Sequence, residues 1–167
     1  MSFFKVFFLS CFLFSLAGCG FQPLYGKSKK LIVKQELGKV RVASIKDRVG
    51  QLLHNLLLDR LTPYGRPTNP KYTLNVVVSV TKKEIGLKFT EEATRATLTL
   101  TATYFLTNDR EGKTLIKGEV RSVNSYNISA SEFARISSEQ DATKRAAREV
   151  SDEIRTRLSL YFSRNGG

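Results

Sequence analysis

The chain has little of what most enzymes are built from. It contains a single histidine, His54, two cysteines, one methionine and no tryptophan in 167 residues. With one histidine, neither a histidine–cysteine metal cluster nor a cysteine–histidine catalytic couple can be assembled. There is no Gly-x-Ser-x-Gly elbow, no glycine-rich phosphate loop before a helix and no metal-ligand spacing. No carboxylate stands in an apolar stretch that would raise its pKa for acid–base work. These absences point to a binding or scaffolding module and away from an enzyme, with no metal and no diffusible cofactor. Proline is also scarce: of four, Pro63, Pro67 and Pro70 fall in one connector and Pro23 lies near the start. No apolar run reaches the roughly 20 residues needed to cross a bilayer as a helix. Acidic residues are outnumbered, 15 against 27 basic, for a net charge of +12.

What is present begins with a short apolar segment, Val6–Ser15, headed by Lys5 and ending in Leu16-Ala17-Gly18-Cys19. A basic start, an apolar middle and small residues at the cut make a secretory signal over residues 1–18. The order Leu, small, small, Cys is that of a lipobox, so Cys19 is expected as the lipid attachment site. It would carry S-diacylglycerol and an amide-linked acyl chain. The competing reading is an ordinary signal with an incidental cysteine. Cys11 would leave with the signal and Cys19 would be blocked as a thioether, so the mature chain could form no disulfide. An exported basic protein has no access to nucleic acid. Its available polyanions are anionic lipid head groups and lipopolysaccharide phosphates, and plain solubility is the alternative.

Gly20-Phe21-Gln22-Pro23-Leu24-Tyr25-Gly26 suits neither a helix nor a central strand, so residues 19–38 read as a lipidated tether. Residues 27–48 are the most basic stretch, eight Lys/Arg against two acids. Alternation from Lys39 to Ile45 predicts a first short strand. Asp47 is the expected N-cap of a helix whose stripe is Val49, Leu52, Leu53, Leu56, Leu57 and Leu61, and Pro63 and Gly65 stop it. His54 lies off that stripe and reads as a surface residue. Three strands follow: Tyr72 to Thr81, Ala96 to Thr107, and Thr114 to about Asn127. The last alternates less cleanly, as at a bulge. Asn108–Gly112 reads as a hairpin connection. Ser138 is the expected start of a final helix with Ala146, Val150, Ile154, Leu158 and Tyr161 buried. The order is β-α-β-β-β-α. The fold class is therefore α+β, a two-layer sandwich with a four-stranded, mostly antiparallel sheet and two helices on one face. A single domain spans 39–164, with 165–167 a frayed tail.

The middle strand sets apolar residues on one face and Thr97, Thr99, Thr101, Thr103, Phe105 and Thr107 on the other. Composition by itself favours a solvated threonine face. The functional alternative is a surface that docks another protein.

Leu-Ala-Gly-Cys-Gly-Phe-Gln-Pro-Leu-Tyr-Gly over residues 16–26 resembles the opening of the lipopolysaccharide-assembly lipoprotein family, LptE. Ile45–Leu53 with Asp59-Arg60-Leu61 is similar to that family's first helix, especially in alphaproteobacterial members. Ser138–Ala142 through Arg155–Leu158 is similar to its last. The resemblance implies a lipoprotein anchored at the periplasmic side of the outer membrane. Its partner would be an LptD-like outer-membrane β-barrel, which it plugs and helps to assemble, and it would help deliver lipopolysaccharide to the outer leaflet. Gly20 after the cysteine, in place of the aspartate that commonly retains lipoproteins at the inner membrane, agrees with that location. By position, the resemblance also implies lipopolysaccharide contacts at Lys88, Arg95 and Arg135, whose alternative reading is solvated charge. The rival function is a free-standing envelope lipoprotein that binds lipid or peptidoglycan without a barrel.

Overall fold

The computed structural model describes residues 27–85, 94–129 and 131–165. Cys19, Lys88 and the 165–167 tail beyond Asn165 lie outside them. The elements in chain order are α1 (Lys27–Leu37), β1 (Val40–Val42), α2 (Asp47–Leu61), β2 (Tyr72–Ile85), β3 (Thr94–Asn108), β4 (Thr114–Ile128) and α3 (Glu132–Asn165). They form an α+β layer pair: one four-stranded mixed sheet, in the order β1-β2-β3-β4, against helices.

The sheet follows directly from the period-two pattern. Leu74 and Val76 of β2 point inward with Leu98, Leu100, Ala102, Tyr104 and Leu106 of β3 and Val120 of β4, and all are buried. A one-residue slip would expose every one of them, so the register is held firmly. β2–β3 and β3–β4 are antiparallel, with Leu74 opposite Leu106 and Ala102 opposite Val120. The β3–β4 turn is closed by Asn108, whose side chain accepts from the Arg110 amide, and by Gly112 at a positive φ of 63°. The irregularity expected in the last strand is there, a register shift beside Leu106/Thr107.

β1 is shorter than the alternation suggested, three residues running parallel to β2 with Val40 opposite Tyr72. A parallel neighbour needs a crossover connection, and α2 provides it. Leu53, Leu57 and Leu61 of α2 are buried against the sheet and α3. Asp47 is not the N-cap: Lys46 holds that position without a side-chain bond, and Asp47 takes a left-handed φ of 68°. Aspartate tolerates that conformation better than most residues. His54 is half-buried, not a surface residue, and its Nδ1 lies 3.1 Å from the Ala43 carbonyl oxygen, tying α2 to the turn before it.

Two further differences concern helices. Residues 27–37, expected as part of a tether, form α1, and Leu37 joins the core. An isolated helix of this length is marginal in water; α1 is held by packing on α3. It is also pinned at Glu36, which accepts the Tyr72 hydroxyl at 2.7 Å and the Lys39 ammonium at 2.6 Å. The last helix starts at Glu132, not Ser138. No proline or glycine interrupts 132–138, and the Ser131 carbonyl accepts from the Arg135 amide. Ala142, Ala146 and Ala147 bring α3 close to the sheet, and Phe162 packs on Tyr72 with ring centroids 5.1 Å apart.

Candidate functional site

All three helices lie on one side of the sheet, and the other side is open among the described residues. The register defines what that open face displays. Val77, Thr103 and Glu119 form one cross-strand row; Ser79, Thr101 and Arg121 the next; Thr81, Thr99 and Val123 the third. Val77 and Val123 are 62% and 55% exposed. The threonines between them are half-buried by their neighbours. Each threonine offers a methyl and a hydroxyl, so the face is neither apolar nor strongly hydrated. Valine in these rows is a signal that only the cross-strand register shows, because the threonine alternation lies along β3 alone.

The far end of the sheet carries the predicted basic residues, but on opposite faces. Arg95, the second residue of β3, is on the open face, paired in register with Ile85 and Asn127, and is exposed. No salt bridge among the described residues engages it. Arg135 is not in a loop: it lies in the first turn of α3, on the helix side, and forks onto the carboxylate of Glu132 at 2.6 Å. That hydrogen bond, with the Glu132 charge, raises the Arg135 pKa; Glu139 and Glu84 add to it. Next to it, Lys82 is paired with Glu139. The Tyr126 hydroxyl is shifted up by partial burial and then by Glu139. Arg135 thus stands in a balanced cluster, while among the described residues Arg95 has no carboxylate paired with it. Lys88 belongs to the segment between β2 and β3, outside the described residues.

The seam between β4 and α3 is polar. Ser122 donates to Glu149 at 2.5 Å, and the Asn124 amide reaches both the Ser122 hydroxyl and Glu149, at 2.9 and 3.2 Å. Arg157 donates to the Glu119 carbonyl at 2.8 Å and Arg145 lies 3.5 Å from that of Ser125. These arginines occupy carbonyls of the long edge strand, which would otherwise invite pairing with another chain. The serine, asparagine and glutamate satisfy one another's hydrogen-bonding groups. Among the described residues no group of three His, Cys, Asp or Glu side chains could hold a metal. Among them also, no helix is long and apolar enough to cross a membrane.

Comparison with known proteins agrees with this architecture. The sequence profile of the family described as "LptE: Lipopolysaccharide-assembly" matches residues 37–158, well over half of the chain. No curated protein matches the chain in sequence. Among solved structures, a candidate lipoprotein from Caulobacter crescentus CB15 superposes with a TM-score of 0.65 at 22% identity, over 80% of this chain and 96% of that one. A minor lipoprotein from Acinetobacter baumannii gives 0.58 at 19% identity, covering 74% and 94%. The rare lipoprotein B of Shewanella oneidensis gives 0.58 at 12%, covering 77% and 98%. At these identities the structures share the fold.

Proposed function

The chain belongs to the LptE lipopolysaccharide-assembly family, and from that premise we propose that it seats within an LptD-like outer-membrane β-barrel, assists the barrel's assembly and helps deliver lipopolysaccharide to the outer leaflet. Members of this family are outer-membrane lipoproteins that serve lipopolysaccharide transport and are not enzymes. For this chain the proposed anchor is Cys19. Two or more acyl chains on one cysteine hold a protein stably on a bilayer, where a single myristoyl chain does so only marginally.

The observation that carries the reading is the open sheet face. β2, β3 and β4 are 14, 15 and 15 residues long, so at about 3.3 Å per residue they offer a surface roughly 45–50 Å long. Its mixed Thr/Val character suits the polar interior wall of a large barrel, against which threonine hydroxyls can bond and valines can bury. Arg95, Lys88 and Arg135 are proposed to meet lipopolysaccharide phosphates by charge-assisted hydrogen bonds.

The test is recovery of the barrel with tagged full-length protein from detergent-solubilised membranes. Thr101→Glu combined with Val123→Glu places two carboxylates in the centre of the face. Barrel recovery is expected to drop by at least about tenfold, since desolvating unpaired charge at an interface costs several kcal/mol. Lys144→Glu, on the solvated side of α3, is expected to recover as much barrel as the unaltered chain. Equal recovery from all three, with circular dichroism unchanged, would overturn the placement. The lipoprotein emerging alone while other barrels stay intact would favour the free-standing alternative.

A further inference from the structure

A second feature lies at the other end of the molecule, about 30 Å along α3 from Arg135 at 1.5 Å per residue. There α1, the end of α2 and the last third of α3 enclose a groove of about 600 Å³, within the range of small-molecule sites. Its floor is apolar: Val33, Leu61, Pro63 and Leu160 line it. Its rim is cationic, with Lys34, Arg60 and Arg155.

The rim charges differ in availability. Arg60 is committed to Asp152 through both carboxylate oxygens. The Lys34 ammonium donates to the Tyr64 hydroxyl at 3.1 Å and sits 4.7 Å above that ring, a contact that positions it without neutralising it. Arg155 makes no salt bridge among the described residues, and its charge helps hold the Asp152 pKa down, after the larger effect of Arg60. Asp152 and, beyond it, Asp59 are the carboxylates nearby. Three cations around an apolar floor, with one rim carboxylate already engaged, leave the groove net positive.

We propose that this groove binds an anionic amphiphile, with an acyl chain on the Val33–Leu160 floor and a phosphate at Lys34 and Arg155. Inorganic phosphate would leave the floor unfilled, and a neutral lipid would leave the rim unpaired; an anionic lipid satisfies both. The choice of a membrane lipid rests on the anchored reading above: α1 begins eight residues after Cys19, a reach of at most about 28 Å from the acylated sulfur. Phospholipid and phosphorylated glycolipid share the required chemistry.

The experiment is native mass spectrometry of the full-length protein in non-ionic detergent. The probes are short-chain phosphatidylglycerol, short-chain phosphatidylcholine and a diacylated glucosamine phosphate. At least one anionic probe is expected to bind about tenfold more tightly than phosphatidylcholine, and the tighter of the two identifies the lipid class. Arg155→Gln is expected to weaken that binding roughly tenfold, the loss of one charge-assisted contact. Val33→Trp, which fills the floor, is expected to weaken it as well, whereas Arg121→Glu on the open sheet face leaves it unchanged. Equal binding of phosphatidylcholine, or equal weakening by Arg121→Glu, overturns the site, because attraction would then be diffuse. Failure of the anchored reading shows separately, as an unacylated Cys19 in the intact mass of the same sample.

Discussion

Gly118 stands opposite Tyr104 on the β3–β4 ladder, and the tyrosine ring lies over it: a Cβ there would come within 2.7–2.9 Å of the ring and hydroxyl. Tyr104 is buried at 1% exposure, so an added methyl forces the ring or the strand to shift. Gly118→Ala is therefore expected to destabilise the fold by about 1–3 kcal/mol, the usual cost of overpacking, read from the urea midpoint at unchanged slope. Gly50 answers a similar constraint from Ile45, whose Cγ2 would sit 2.7 Å from an added Cβ. The turn before α2 thus passes close to the helix, with Asp47 accepting a left-handed conformation to make it. Glu36 supplies a pH effect. Burial tends to raise its pKa, but hydrogen bonds from Lys39 and Tyr72 and the charges of Lys39 and Lys71 together bring it below the ordinary 4.5. A carboxylate depressed on folding contributes stability above its unfolded pKa and loses it as pH falls through the folded one. Glu36→Gln should accordingly melt below the unaltered chain at neutral pH, and the gap should close as pH drops below 4.5. A gap independent of pH would show that the glutamate's charge is not what holds α1.

At the scale of elements, α1 separates burial from propensity. It carries no acidic residue in its first turn and has a weak apolar stripe, and Gly38 follows directly after it. Leu37→Ala is expected to cost about 2–3 kcal/mol, as for a buried leucine, while Leu31→Ala, at an exposed position, should change stability by less than about 0.5 kcal/mol. Equal small effects in thermal unfolding would mean that α1 is not part of the cooperative unit. The strands were legible because alternation is unambiguous when one face is buried and the other is threonine. α2 was legible through its leucine stripe and the prolines after it. The start of α3 was not, because Ser138-x-x-Asp141 imitates a cap while the true entry at Ser131–Glu132 leaves Phe133 and Ile136 exposed, so no apolar stripe announces the first two turns.

For the whole molecule, the basic excess is not evenly available. Arg135 is balanced by Glu132, whereas no ion pair among the described residues engages Arg95, so their removal should be unequal. Arg95→Gln is expected to weaken lipopolysaccharide binding by the full worth of a charged contact, roughly three- to tenfold, and Arg135→Gln by less than about threefold, as for an exposed ion pair. The measurement is binding of purified lipopolysaccharide to each full-length variant at fixed ionic strength. The reverse order would overturn this ranking of the two arginines.

The sequence by itself determined the layer architecture, the apolar face of each strand and the family resemblance, because periodicity and short motifs are local and survive without knowledge of contacts. Tertiary structure alone decided that β1 runs parallel beside β2, that a lysine-rich segment becomes a helix, and that Arg95 and Arg135 end on opposite faces. It also decided which cations stay available, and that three distant segments close an apolar groove beneath a basic rim. Each of these depends on partners far apart in the chain, whose packing and ion pairing outweigh the weak preferences of the residues themselves.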